Sequence, residues 1–305
     1  MVTVAVPTQE DADRLGAQVP GIDWHVWNLE TPPPAPRFDI VIPPYMAPAS
    51  VLAGLAQAEI GIVQMQSLGF DGVEPAVADS TVIANARGAH EAPTAELALA
   101  LALASRRELP AFVRQQDAGL WQQPTARTLL GARVMIFGAG GVGNAIARVV
   151  SPLAASVVRV ARTAREDELG AVIPTTESAS LLPETDVVFL AVPGNAETRH
   201  LVDAAFLSAL PDGALVVNVA RGPVVDTDAL LAEVRSGRLF AALDVTDPEP
   251  LPSDHPLWRE RNVLIAPHVG GRTVRMREWV DAALVLQLRA AVAGDGPVNV
   301  VRAGA

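Results

Sequence analysis

The stretch Arg133-Val-Met-Ile-Phe-Gly-Ala-Gly-Gly-Val-Gly-Asn-Ala-Ile-Ala147 constrains the fold more than any other part of the chain. Val134–Phe137 is a short apolar run without charge, the pattern of a strand buried on both faces. Gly138, Gly140 and Gly143 then give G-x-G-x-x-G, and a helical run comes next. In such a strand–turn–helix the first glycine permits the tight turn. The second lets the backbone approach a pyrophosphate, and the third lets the helix pack closely on the strand. The free N–H groups at the helix start, from Gly141 and Val142 onward, face the phosphate oxygens. A glycine triplet alone is weak, since such turns also serve structural ends. Strand before and helix after make a dinucleotide site the better reading.

The rest of the chain agrees with that start. A length of 305 residues suggests roughly two domains at about 150 residues each. With 50% hydrophobic and 19% charged residues, a large core can form. The net charge of -11 argues against nucleic-acid or anionic-membrane surfaces. Cysteine is absent, which removes disulfides, thiolate metal sites and thiol nucleophiles; no metal site is expected. Lysine is absent too, so Schiff-base chemistry and Walker-type phosphate loops are excluded. The first residues do not read as a signal peptide, and Leu97–Ala104 is too short to span a bilayer. A soluble, cytoplasmic protein is expected, without a nucleic-acid or membrane partner.

From Arg133 onward, strands are predicted at 134–137, 157–161, 187–191, 214–218, 240–244 and 262–266. Helices fill most of the gaps, for example 227–236 behind an Asp226 or Thr227 cap. This is an α/β pattern, a doubly wound parallel sheet of about six strands. Residues 1–90 read as a second, compact α/β unit with strands at 2–6, 22–29, 38–42, 61–64 and 82–85, and a helix at 50–58. A long apolar helix runs from Pro93 to about Leu109, and 114–130 reads as irregular, either an arm against a partner subunit or a crossover. A last helix at 272–293 is long enough to return to the first unit. The expected division is 1–92 with 273–305 as a discontinuous substrate domain, and 93–272 as the dinucleotide-binding domain.

Ligands bind beyond the carboxyl ends of the strands in open parallel sheets. Arg221 comes after the strand at 214–218, Asp244 and Glu249 after 240–244, and His268 after 262–266. Each alone has a bland explanation: a surface ion pair, a loop carboxylate, a structural histidine. At three successive strand ends they form a chemical set. Arg221 suits a carboxylate bidentately and keeps its charge. His268 exchanges a proton near neutral pH, and Glu249 beside it favours the protonated ring. With a nicotinamide cofactor this is a hydride-transfer site for a 2-oxo acid.

The stretches Asn218-Val-Ala-Arg-Gly-Pro-Val-Val-Asp226, Ala242-Leu-Asp-Val-Thr-Asp-Pro-Glu-Pro250 and Ala266-Pro-His-Val-Gly-Gly271 resemble signatures of the D-isomer-specific 2-hydroxyacid dehydrogenases. The likeness extends to Leu190–Leu201 and Gly88–Glu96 and is weakest before residue 60. It implies a Rossmann cofactor domain with a smaller flavodoxin-like substrate domain, and a glyoxylate/hydroxypyruvate reductase-like or phosphoglycerate dehydrogenase-like activity. Arg221, Glu249 and His268 become the catalytic set, with Asp244 at the nicotinamide carboxamide. Val192, Pro193, Thr198, Ala220 and His268 line the cofactor. Backbone at Leu68 and Gly69 joins Arg221 and His268 at the substrate. A homodimer formed through the cofactor domain is implied as well. Thr246 stands where the family commonly has an aromatic, and Gly141 where a longer side chain is usual; both should loosen packing. His200 and His255 read as structural or surface residues, and His90 as a candidate for the site rim.

NAD-binding folds place an acidic residue about 20 residues past the glycines. Here that position reads Ala161, with Arg162-Thr-Ala-Arg165 next. With no carboxylate and two arginines there, NADP is expected over NAD, its 2′-phosphate held by Arg162 and Thr163, with Arg165 a further candidate. A non-catalytic nucleotide-sensing protein of the same fold is the alternative. A Rossmann methyltransferase would leave Arg221, Glu249 and His268 unexplained.

Overall fold

The computed structural model describes residues 1–304, which divide into two compact units. The first comprises Met1–His90 and the segment from Val274 onward; the second is Glu91–Thr273.

The strands of the first unit are β1 (Val2–Val6), β2 (Ile22–Val26), β3 (Arg37–Val41), β4 (Glu59–Gln64), β5 (Val82–Ala84) and β14 (Val300–Arg302). They form one six-stranded sheet in the order β14-β5-β4-β3-β1-β2. All pair in parallel except β14, which runs antiparallel to β5. β1 to β5 thus have the order of flavodoxin-like sheets, reversing direction of winding beside β1. Helix Met276–Ala293 lays Val280, Leu284 and Leu288, spaced four apart on one face, against Val4, Val6 and Ile40. Arg14 fastens it further, its Nε 2.7 Å from Asp281 Oδ2. The helix begins at Met276 rather than 272, because 270–275 is a turn segment that starts with two glycines. The helix predicted at 50–58 is two pieces, Ala49–Leu52 and a 3₁₀ turn at Ala53–Gln57. Gly54 there lies so close to Leu29 that a Cβ would come within 2.2 Å of its carbonyl oxygen.

The second unit holds eight strands: β6 (Arg133–Phe137), β7 (Ser156–Ala161), β8 (Arg165–Asp167), β9 (Gly170–Pro174), β10 (Val187–Leu190), β11 (Leu215–Asn218), β12 (Phe240–Leu243) and β13 (Val263–Ile265). Their order in the sheet is β13-β12-β11-β10-β6-β7-β9-β8. Alternate residues reach opposite cores: Met135, Phe137, Val188 and Leu190 on one face, Val134, Ile136, Val187 and Phe189 on the other. Burial on both faces is why these strands read as unbroken apolar runs. Winding starts at β6 and reverses between β6 and β10, which makes the carboxyl end of that pair the ligand crevice of the doubly wound design.

Two local readings change. The hairpin β8–β9 lies outside the strands expected from sequence: β8 is Arg-Glu-Asp, and β9 is a short Gly-Ala-Val-Ile-Pro run that ends in a proline. The apolar run from 91 ends at Arg106, where Glu108 takes a left-handed conformation (φ 57°) and Pro110 opens a separate helix, Leu109–Asp117. Residues 118–130 carry no regular element and leave Trp121 91% exposed.

Candidate active site

At the end of β6, Gly138 has φ 109°, and a Cβ on it would stand 2.3 Å from the Ala191 carbonyl oxygen after β10. A Cβ on Gly143 would lie 1.7 Å from Gly138 O, so the third glycine sets how closely helix Gly141–Val150 approaches its strand. Gly140 is different: nothing lies within 4 Å of its missing Cβ. It caps the helix in extended conformation without any side-chain cap, and the first-turn N–H groups of Gly141, Val142 and Gly143 have no partner within the helix. Open space above Gly140 and unsatisfied donors behind it are what a pyrophosphate requires, so a dinucleotide fits this turn. At Gly141 the expected slack is absent. Glu91 fills it, its Cγ 2.6 Å from where a Cβ would be.

Three neighbouring strand ends carry the polar set. After β11, Asn218 (1% exposed) accepts from Ala220 N and donates to Arg221 O, shaping the turn that presents Arg221. One guanidinium nitrogen of Arg221 donates to Ala220 O at 2.7 Å. Gly222 lies against Thr246, where a Cβ would stand 1.9 Å from the Thr246 carbonyl oxygen, so the loops after β11 and β12 are pressed together. Thr246 itself is buried, with its hydroxyl donating to Pro248 O.

After β13, His268 adopts φ 52°, a conformation that costs a side-chain-bearing residue roughly 1–2 kcal/mol. It is held there by its own N–H on Asp244 O (2.8 Å) and by Asp244, whose carboxylate accepts from Val269 N (2.7 Å) and Gly270 N (2.9 Å). Burial pushes the Asp244 carboxyl above its ordinary range, against those two backbone donors and the nearby His268. Glu249 Oε1 stands 2.5 Å from His268 Nδ1. Burial would raise the Glu249 carboxyl, but the hydrogen bond and charge of His268, a Thr246 backbone donor and Arg221 together hold it below its usual value. Glu249 is therefore ionised at neutral pH, with Arg221 close enough to be felt.

At the end of β7, Ala161 carries no carboxylate of its own, but one arrives from elsewhere. Arg162 is exposed and pairs with Glu197 at 3.0 Å, a residue of the loop after β10. The sequence expectation of a carboxylate-free neighbourhood is corrected to that extent; the partner is 35 positions away and no local pattern announces it. Thr163 is exposed. Arg165 donates to the Ala139 carbonyl at 2.6 Å, directly on the glycine turn. After β10, Val192 is half-buried, Pro193 exposed, and the Thr198 hydroxyl donates to Pro193 O (2.6 Å), folding the loop on itself.

In the first unit, the loop after β4 has every carbonyl from 66 to 69 engaged. His90 meets Gln66 O at 2.8 Å, Ala86 N meets Ser67 O, Asn85 Nδ2 meets Leu68 O, and Ser67 Oγ meets Gly69 O. The polar capacity left to the loop is N–H, at Leu68 and Gly69, which favours an anion. His90 is buried beneath it with Tyr45 stacked at 5.9 Å. It supports the loop from within rather than standing at a rim. His255 caps a 3₁₀ turn, and His200 lies 3.8 Å from Asp226.

The doubly wound unit and its open glycine turn define a dinucleotide-binding protein, with a hydrogen-bonded histidine and carboxylate at adjoining strand ends. Comparison with known proteins specifies which. Residues 99–270 match the family model described as D-isomer specific 2-hydroxyacid dehydrogenase, NAD binding domain. A glyoxylate reductase of Thermofilum pendens is 31% identical over 258 residues, 81% of this chain and 76% of that protein. A D-isomer specific 2-hydroxyacid dehydrogenase from Xanthobacter autotrophicus, solved with NADPH and MES, superposes with TM-score 0.83 at 29% identity, covering 98% of this chain and 97% of that one. An NADPH-dependent glyoxylate/hydroxypyruvate reductase from Sinorhizobium meliloti, solved with NADP and malonate, gives TM-score 0.81 at 26% identity over 98% and 96%. This chain belongs to the D-isomer specific 2-hydroxyacid dehydrogenase family. Among the described residues, no helix is long and apolar enough to cross a membrane.

Proposed function

We infer that this enzyme reduces a small 2-oxo acid, of the glyoxylate or hydroxypyruvate class, to the D-2-hydroxy acid, with Arg221, Glu249 and His268 as its catalytic residues and NADPH preferred. The observation that carries this reading is the 2.5 Å contact between Glu249 Oε1 and His268 Nδ1. With Nδ1 committed to a carboxylate, the proton to be delivered is the one on Nε2, and Glu249 holds the ring in that orientation. Arg221 holds the substrate carboxylate with its donor fork and draws electron density from the oxo group. When bound, the reduced nicotinamide supplies the hydride. His268 gives its Nε2 proton to the oxygen as the carbonyl is reduced, help of a kind worth about 10²–10⁴ in rate.

For the cofactor, Gly138 and Gly140–Gly143 hold the pyrophosphate, Asp244 faces the carboxamide, and Val192, Pro193, Thr198 and Ala220 line the path. Arg162 and Thr163, with Arg165, take the 2′-phosphate. The exposed Arg162–Glu197 pair is weak, on the order of 0–1 kcal/mol, so a doubly charged phosphate competes readily with Glu197. Initial rates should be higher with NADPH than with NADH; equal or better rates with NADH would remove the preference.

The same reading makes the enzyme a homodimer. Leu120, Trp121 and Leu130 leave 53%, 91% and 68% of their surfaces exposed on the irregular segment, an apolar cost that a second copy relieves. A sedimentation mass of two chains is expected, and a single-chain mass at micromolar concentration would rule it out.

A further inference from the structure

β9 pairs in parallel with β7, and one buried group ties the outer strand β8 of the hairpin back to that strand. Arg159, on β7, has a side chain only 3% exposed. Its two terminal nitrogens grip both oxygens of Asp167, at 2.8 and 2.7 Å. The same nitrogens also donate to Asn144 Oδ1 (3.0 Å) on the glycine-turn helix and to Gly170 O (2.7 Å). Asp167 in turn accepts from Leu169 N at 2.9 Å, which closes the hairpin turn. A buried guanidinium of this kind is costly unless fully paired, and this one is paired with a carboxylate and two further acceptors.

The register gives the arrangement its consequence. Arg165 and Asp167 are two apart on β8, so their side chains leave the same face of the strand. Asp167 is turned to Arg159, and Arg165 is therefore turned the same way, where its Nη2 reaches the Ala139 carbonyl inside the glycine turn at 2.6 Å. β9 completes the frame: Val172 lies opposite Arg159 on one side and Arg165 on the other.

We propose that the Arg159–Asp167 pair is a positioning clamp that fixes Arg165 beside the phosphate-binding turn and thereby sets the preference for a 2′-phosphorylated nicotinamide nucleotide. The clamp rests on the NADPH preference inferred for this site and assigns a deciding position to Arg165, because Arg165 alone of the two arginines is anchored on the glycine turn, while Arg162 is held only by an exposed pair with Glu197. Arg159 and Asp167 touch no cofactor; they act through Arg165. The hydrogen bonds from Arg159, aided by the Leu169 N–H, hold the Asp167 carboxyl at about 2, below its ordinary 3.8. The clamp is thus ionised throughout the neutral range and releases only in strong acid, as pH falls from about 3.8 toward 2.

The test is calorimetric titration of the whole enzyme with NADP⁺ and with NAD⁺, without substrate, so that binding is read apart from turnover. Asp167→Asn should weaken NADP⁺ binding roughly tenfold or more, the loss of about one charge-assisted contact, and leave NAD⁺ binding within about twofold. Asp167→Asn strands a buried charge and could unfold the unit, so the paired variant Arg159→Met/Asp167→Leu, which removes both charges, is run beside it. Arg165→Ala should reproduce the NADP⁺ loss, and adding Asp167→Asn to it should cost nothing further. Wild-type preference for NADP⁺ with an unchanged ratio in the paired variant would overturn the clamp while leaving the cofactor reading intact. Equal wild-type affinities for the two nucleotides would overturn the cofactor reading, and the clamp with it.

Discussion

His268→Ala is expected to lower turnover by about 10²–10⁴-fold while NADP⁺ binding stays nearly unchanged. The loss falls on the chemical step because the imidazole is the group proposed to give a proton to the reduced oxygen. Binding survives because the glycine turn lies at the end of β6, built from backbone donors that His268 does not support. Single-turnover kinetics with titrated NADP⁺ affinity separates the two effects, and substantial remaining activity would mean the proton donor is another group. Glu249→Gln gives the companion result. The carboxylate, held low by His268 and Arg221 despite its burial, is negative across the neutral range, and the amide is not. Activity of the parent enzyme should therefore decline on the acid side only as pH falls through the depressed Glu249 range, and the variant, less active at neutral pH, should lack that acid limb. A mere structural role for Glu249 would lower activity at every pH alike.

The second large effect is at Arg221. Arg221→Met should lower kcat/KM for 2-oxo acids by about 10²–10³-fold, in keeping with about 2–5 kcal/mol for removing one partner of a desolvated charged pair. Arg221→Lys should recover only part of this, because a single ammonium cannot reproduce the planar fork. Steady-state kinetics on both variants decides it. A lysine enzyme with full activity would reduce the role of Arg221 to charge alone, and a methionine enzyme with unchanged kcat/KM would remove it from the site.

The sequence exposes much of this arrangement for a physical reason. Strands buried on both faces must be apolar at every position, so β6, β10 and β11 stand out against the helices between them. Glycine spacing marks the turn because backbone contact with Ala191 and with the chain's own Gly138 leaves no room for a side chain. Arg221, Glu249 and His268 are legible because each lies just past the carboxyl end of a strand that the apolar pattern marks. The features that stay hidden depend on pairing across the chain. Glu197 reaches Arg162 from another strand end. β8, Arg-Glu-Asp, lacks an apolar signature because its anchor is an ion pair, Arg159 with Asp167, and β9 is a short apolar run that ends in a proline. The left-handed backbone of His268 is likewise invisible, since it is imposed by Asp244 gripping Val269 and Gly270.

A proton-donating, carboxylate-holding site that serves a nicotinamide cofactor is tested most directly by one panel. Glyoxylate, hydroxypyruvate, pyruvate and bulkier 2-oxo acids are offered with NADPH and with NADH, cofactor oxidation is measured by absorbance, and the product is assigned by chiral chromatography. The predicted result is oxidation of NADPH by at least one of these acids, faster than of NADH, with the D-2-hydroxy acid formed. Oxidation of neither cofactor by any of the acids, with both nucleotides still bound, would contradict it and leave a nucleotide-sensing protein in its place.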